Sequence, residues 1–289
     1  MNNFCIIVND EKDQKNQTAA SIIRFLESQD KNVVLTTHSS LEERKHGTYT
    51  NAEEIPADIE CAIVLGGDGT IIQAAKDLLH RDIPILGVNL GTVGYLAEIE
   101  KQNIEAALSK LFRDQFKIEE RLMLYGMIHK GKETELDVHA LNDIVISRSG
   151  HCKLIVINLY INDALIDTYV ADGLIVSTPT GSTGYNLSAG GPVMKPGIDA
   201  LVITPICPHS LNKRSLVVSA DDKICLEVGQ RKETSNDEAI AVFDGREEMQ
   251  LISGERIFIT RAKEITKIVK LTENSYFDIL KNKLGREKV

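Results

Sequence analysis

Cys61-Ala62-Ile63-Val64-Leu65-Gly66-Gly67-Asp68-Gly69-Thr70 is an apolar run that ends abruptly in glycine. The run reads as a buried strand, and Ile71 to His80 after it fits a helix. The same alternation surrounds it. Phe4 to Val8, Val33 to Thr36 and Ile83 to Val88 are further apolar strands, and 12–29 reads as a helix with Ala19, Ile22, Ile23 and Leu26 on one face. Ile104, Ala107, Leu108 and Leu111 mark another helix, while 37–58 is polar and irregular. Continuous apolar strands separated by helices indicate a parallel sheet covered on both faces. The expectation is an α/β N-terminal domain over 1–116, Rossmann-like in layout.

Beyond residue 116 short alternating segments dominate: 117–129, 135–147, 153–161, 164–169, 173–178, 214–219, 223–228, 239–243 and 249–260. Turn signals such as Asn162-Asp163 and Asp244-Gly245 separate them. This predicts a mostly-β C-terminal domain over 117–270. A last helix over 275–284, apolar at Tyr276, Phe277, Ile279, Leu280 and Leu284, is expected to pack on a core, that of the first domain being one choice.

A net charge of −9 over 289 residues disfavours nucleic acid and anionic membrane surfaces as partners. A phosphorylated small molecule stays open, because backbone amides bind phosphate without Lys or Arg. The cysteines at 5, 61, 152, 207 and 225 are odd in number and form no CxxC pair, and Cys5, Cys61 and Cys225, set in apolar strand-like runs, read as reduced core residues. The first residues lack the features of a signal peptide and no segment is long and apolar enough for a membrane span, so the expected location is cytoplasmic.

In an open parallel sheet, ligands bind beyond the carboxyl ends of the strands. Three polar loops fall there: Asn9-Asp10, Gly66 to Thr70, and Asn89-Leu90-Gly91-Thr92-Val93-Gly94. The glycines let successive N–H groups converge on phosphate oxygens, and the helix that follows adds its N-terminal dipole. Asp68 would repel a phosphate. Its presence makes sense if it accepts a proton from a hydroxyl nucleophile or shares a divalent cation with the phosphates. A plain β-to-α turn also uses Gly and Asp. GxGxxG, GxxxxGK[ST], GxSxG and HExxH are all absent, which removes support for hydride transfer, P-loop, serine-hydrolase and zincin chemistry.

Two segments of the second half stand out. Asp172 to Pro192 runs from a strand into small and hydroxylated residues, with Tyr185 offering a ring to a base or ribose, though a Gly/Ser-rich connection would look similar. Leu141-Asn142-Asp143 sets an amide beside a carboxylate within an apolar strand, so one of the two should face a site, unless a turn or bulge falls there.

Taken together, Gly66 to Thr70, Asn89 to Leu96, Leu141 to Asp143, Asp172 to Pro192, and Pro205-Ile206-Cys207-Pro208-His209-Ser210-Leu211 resemble the NAD kinase family, in its order and over most of the chain. The glycine loop alone is shared with 6-phosphofructokinases and diacylglycerol-type lipid kinases; the 172–192 segment is far more specific. The resemblance implies NAD held between an α/β and a β domain. It implies ATP or polyphosphate as donor, a divalent metal (Mg²⁺ or Mn²⁺) with no ligands assigned, and a homo-oligomer, dimer or tetramer.

By the same resemblance Asp68 is the proton acceptor facing the 2′-hydroxyl, with Gly69 beside it. Asn142, Asp143 and Asp172 bind the dinucleotide, and Thr183, Gly184, Tyr185, Asn186, Leu187 and Ser188 wrap part of it. Lys153 falls where the family often has a basic or polar contact, and Arg246 where many members have Gln. This sequence departs from the pattern in having Asp143 for Glu, Val170 for Arg and Gly184 for Ala. The implied reaction is transfer of the γ-phosphoryl group of ATP to the 2′-hydroxyl of NAD's adenosine ribose. The rival readings are a related lipid or sugar kinase, disfavoured by 172–192, and a non-catalytic dinucleotide sensor, disfavoured by Asp68.

Overall fold

A strand buried on both faces needs apolar side chains in both directions, and three strands of the first unit are of that kind. They are β1 (Asn3–Val8), β3 (Cys61–Gly66) and β4 (Ile85–Asn89); β2 (Asn32–Leu35) is more exposed. The computed structural model describes residues 1–9, 12–36, 50–91, 94–97, 99–130, 134–150, 153–230, 238–271 and 276–285. Asp10, Thr92, Val93, Cys152, Ser275 and the 37–49 part of the polar loop lie outside the described residues. The chain forms two compact units, Met1–Arg121 with Thr266–Val289, and Leu122–Ile265.

In the first unit β2, β1, β3 and β4 lie side by side in that order, all parallel, and β5 (Ile99–Glu100) pairs with β4. Helix α1 (Gln17–Ser28), α2 (Asp68–Asp77) and α3 (Ile104–Phe112) complete the α/β architecture. Phe4, Ile6 and Val8 of β1, Ile63 and Leu65 of β3, and Leu86 and Val88 of β4 pack with Ile22 and Leu26 of α1 and with Leu108 and Leu111 of α3. Burial of such side chains contributes about 1.5–3 kcal/mol each.

Two helix starts differ from expectation. The first helix begins at Gln17 rather than at 12, because Lys15 and Asn16 adopt positive φ of 64° and 52°. The Asp13 carboxylate instead accepts Thr18 N–H at 3.0 Å and Ala19 N–H at 2.9 Å, capping the helix from upstream. The second helix begins three residues earlier than Ile71, with Gly67 as N-cap, so Asp68 sits in its first turn rather than in a loop.

The second unit is a sandwich. One sheet is antiparallel throughout, in the order β13 (Leu216–Ser219), β12 (Ala200–Ile206), β11 (Gly173–Ser177), β8 (Asp143–Arg148), β15 (Glu238–Phe243), β16 (Glu247–Ile252). The other contains β10 (Ala164–Ala171), β9 (Ile155–Ile161), β14 (Ile224–Val228) and the start of β17 (Arg256–Lys270). The hairpin β6 (Lys117–Lys130) and β7 (Thr134–Ala140) adds to it. Ile144, Leu174, Val176, Ile203 and Phe243 from the first sheet meet Ile157, Leu159, Leu226 and Ile257 from the second in one buried cluster.

Here too the segments shift. The stretch expected as one strand over 135–147 is broken at Leu141-Asn142, and 249–260 divides at a turn around Gly254. Strand β12, absent from the expected segments, carries Pro205 opposite Leu174. The last part of β17 returns the chain to the first unit, where Ile268 pairs with Ile85 and Val269 joins the core. Helix α5 (Tyr276–Leu284), numbered after a single turn α4 (Tyr185–Ser188), belongs to that unit.

Leu65 is fully buried in β3, and Leu65→Ala is expected to cost about 2–5 kcal/mol. The check is the urea unfolding midpoint of the first transition; an unchanged midpoint would remove Leu65 from the packed core.

Candidate active site

The parallel register sets the first unit's loops side by side. Gly66 pairs with Asn89 across β3 and β4, and Leu90 N–H donates to Gly66 O at 3.1 Å. Asn9 N–H donates to Leu65 O at 3.0 Å, and the Asn9 amide reaches Thr70 Oγ1 at 3.2 Å. The three loops singled out from sequence therefore share one edge of the sheet.

Asp68 projects from the first turn of α2 to the segment after β4. Its Oδ2 accepts Tyr95 N–H at 2.6 Å, and its Oδ1 accepts Leu96 N–H at 3.1 Å and Ala97 N–H at 3.3 Å. Close approach makes Gly94 obligatory here, since a Cβ on it would lie 1.7 Å from Asp68 Oδ1. The carboxylate is thus fixed in orientation, and Oδ2, with one donor, retains a lone pair for a hydroxyl proton. Gly69 beside it is exposed. The first N–H groups of a helix have no intrahelical partner, so this glycine-rich start presents donors and a positive dipole end to an anion.

The second unit assembles a different set. At the break between β7 and β8, the Asp244 carboxylate accepts three successive N–H groups: Leu141 at 2.8 Å, Asn142 at 2.7 Å and Asp143 at 3.2 Å. Asp244 N–H returns a bond to Asp143 O at 3.0 Å. Thr178 closes on the same turn, its N–H to Asn142 O at 2.8 Å and its hydroxyl to Leu141 O at 2.7 Å. The loop over 181–184 leans on the pair: a Cβ on Gly184 would stand 3.6 Å from the Asn142 amide nitrogen and 3.9 Å from Asp143 Oδ2. Asn142 Oδ1 is buried with no hydrogen-bond partner, an acceptor left for a ligand's hydroxyl or amino group. Burial, and secondarily the Asp244 charge, push the Asp143 carboxyl up from an ordinary 3.8 to about 7.

Two family descriptions match the sequence, ATP-NAD kinase N-terminal domain over residues 4–116 and ATP-NAD kinase C-terminal domain over residues 141–271. The chain belongs to the NAD kinase family. An NAD kinase from Lachnoclostridium phytofermentans is 49% identical over 287 residues, 99% of each chain. Among solved structures, a yeast NADH kinase complexed with NADH superposes with a TM-score of 0.82 at 24% identity, covering 100% of this chain and 89% of that one, a likeness of fold. An NAD kinase from Archaeoglobus fulgidus in complex with ATP gives a TM-score of 0.76 at 26% identity, covering 98% of each. NAD kinases are phosphotransferases with an alcohol group as acceptor, and this chain is one of them.

Within the NAD kinase framework, the remaining residues inferred from sequence divide by environment. Asp172 accepts Arg148 Nε–H at 2.7 Å, an ion pair that orients its carboxylate. Tyr185 is 47% exposed and Ser188 is exposed, whereas Thr183, Gly184 and Leu187 are half-buried. Asn186 is fully buried, donating to Ser182 O at 3.1 Å and Pro192 O at 3.0 Å and accepting the Thr204 hydroxyl at 2.7 Å, so it holds the loop's shape. Lys153 and Arg246 are exposed, and Arg246 N–H closes the Asp244-Gly245 turn on Phe243 O at 3.1 Å. Sequence reading missed Asp244, seen only as part of a turn signal, as well as Arg148 and the requirement for Gly94. Among the described residues no group of three or more His, Cys, Asp or Glu is placed to hold a metal ion.

A carboxyl held near 7 in the folded chain and near its ordinary value when unfolded keeps its proton on folding, so wild-type stability falls as pH rises from about 4 to about 7. Asp143→Asn removes that loss. The stability gap in favour of the variant is expected to be small at pH 4, to grow toward pH 7, and to level off on the order of 2–4 kcal/mol above it. Thermal melts across this range test it; a gap independent of pH would show that Asp143 titrates normally.

Proposed function

We infer that this chain transfers the γ-phosphoryl group of ATP to the 2′-hydroxyl of the adenosine ribose of NAD, giving NADP. The observation that carries the reading is the Asp68 carboxylate, fixed by backbone amides at the start of a glycine-led helix. The first unit acts as the phosphate-binding domain, with the N-terminus of α2 as anion site. The second unit binds the dinucleotide: Asn142 and Asp143 take ribose hydroxyls, Asp172 assists, and Thr183, Gly184, Tyr185, Leu187 and Ser188 cover the ligand. Lys153 and Arg246 are the basic groups offered to its phosphates. Asp68 Oδ2 accepts the hydroxyl proton as the oxygen attacks the γ-phosphorus. Polyphosphate would present the same chemistry as donor.

Phosphoryl transfer depends mainly on positioning and charge neutralisation, which matches a site without a nucleophilic pair. A divalent cation, Mg²⁺ or Mn²⁺, would be held mainly by the donor's own phosphate oxygens, with Asp68 a carboxylate in the first turn of the helix that forms the anion site. When bound, it supplies charge neutralisation to the phosphates.

The chain is further read as a homo-oligomer, dimer or tetramer, and as cytoplasmic. In support of association, β10 is the outermost strand of its sheet and exposes Leu165 (57%) and Ile166 (48%), a surface suited to a second copy of itself. In support of a reducing compartment, Cys5, Cys61, Cys207 and Cys225 are free thiols. Among the described residues no helix is long and apolar enough to cross a membrane.

The test of the reaction is NADP formation from NAD, ATP and Mg²⁺ by the wild type and by Asp68→Asn. The expected result is a kcat lower by about 10²–10⁴ in the variant with KM for NAD little changed. Equal kcat values would keep the reaction and remove Asp68 as its base; no NADP from the wild type would overturn the reading. Light scattering of the purified chain is expected to give a mass at least twice that of one chain, and Leu165→Lys should lower it.

A further inference from the structure

A glycine loop that carries an aspartate has a charge problem. Its N–H dipoles attract the donor's phosphates while Asp68 repels them, and transfer needs the phosphate charge balanced. The groups that bear on the loop from the end of β1 answer this. Asn9 is tied to β3 and to α2 through Leu65 O and Thr70 Oγ1. Its own carbonyl accepts Lys12 N–H at 2.9 Å and Asp13 N–H at 3.0 Å, which turns the chain back at once. Asp13, only 4% exposed, is then locked by its two bonds to the start of α1. Lys12 is therefore held by its own N–H to Asn9 and by the fixed Asp13 that follows it, on a turn that is itself fastened to the glycine loop.

Its side chain reaches that loop. Lys12 is exposed, and its Nζ lies 2.7 Å from where a Cβ on Gly67 would stand. Gly67 has φ −118° and ψ −172°, an extended backbone that any residue adopts, so conformation does not explain the glycine. What the contact shows is proximity: the Lys12 ammonium stands beside the position a side chain on residue 67 would take. Gly67 is the N-cap of α2, the position from which the helix presents its N–H groups to an anion. Lys283 has its Nζ over the Tyr95 ring, 4.3 Å from the centroid.

We propose that Lys12 is the phosphate-binding cation of the donor site, its ammonium contacting the phosphate oxygens of ATP above Gly67. The proposal rests on the kinase reading of the glycine loop. It assigns the residue a role in donor binding and none in holding NAD.

The experiment compares wild type, Lys12→Gln and Lys12→Arg in two measurements. The first is calorimetric titration with the non-hydrolysable analogue β,γ-imido-ATP and Mg²⁺, without NAD. The second is steady-state NADP formation with each substrate varied. A charged hydrogen bond to phosphate predicts that Lys12→Gln weakens analogue binding and raises KM for ATP by about tenfold or more, leaves KM for NAD within about twofold, and that Lys12→Arg restores most of the loss. Analogue binding equal in wild type and Lys12→Gln would overturn the proposal, as would a rise in KM shared equally by ATP and NAD. Because the titration does not need turnover, it judges Lys12 even if the wild type forms no NADP, an outcome that would defeat the kinase reading alone.

Discussion

Where a strand gives way to a loop beside a buried core, the backbone N–H groups released from the ladder must find other acceptors, since leaving them bare costs about 1–3 kcal/mol each. In this protein aspartate carboxylates meet that need repeatedly. Asp13 serves the start of α1, Asp68 serves Tyr95 to Ala97, and Asp244 serves Leu141 to Asp143. Each collects consecutive amides from a segment that would otherwise have no fixed shape. The loops of the candidate site owe their geometry to these bonds, and Gly94 and the Thr178 contacts fit around them.

This arrangement gives the two carboxylates of greatest interest different characters. Asp68 is half-buried and surrounded by donors on both oxygens. Asp143 is 5% exposed, and its neighbour of consequence is another carboxylate. In the proposed reaction the first receives a proton from a hydroxyl. The other holds its own proton more tightly than a free carboxyl and can donate a hydrogen bond near neutral pH. Both are aspartates in a chain of net charge −9, and their surroundings alone separate them.

The sequence was most readable where periodicity carried the information. Short apolar runs such as Cys61–Gly66, bounded by glycine and separated by helical periodicity, read as buried strands of a parallel sheet, and the alternating segments after residue 116 read as a β domain. It was less readable where a distant group intervenes. The break at Leu141-Asn142 depends on a carboxylate about a hundred positions away, and nothing local in an apolar run announces it. Strand β12 was hidden by Pro205, which removes a donor and ordinarily argues against a strand. The late start of α1 follows from left-handed Lys15 and Asn16; asparagine takes that conformation readily, but nothing local marks it at Lys15. At the candidate site, Asp68 was legible because an acid in a glycine loop is out of place, whereas Asp244 looked like any turn residue.

The return of β17 to the first unit has a further consequence, for the order of events during synthesis. The second unit is one continuous stretch, Leu122–Ile265, complete in sequence as soon as that stretch has left the ribosome. The first unit begins to emerge earlier but cannot finish its sheet edge or its core until Ile268, Val269 and Leu271 have followed the second unit's stretch. Domains generally fold as units as the chain appears. Here the glycine-loop unit, though begun first, cannot close before the whole of the second unit's stretch has been made, and Ile85 lacks its Ile268 partner until then.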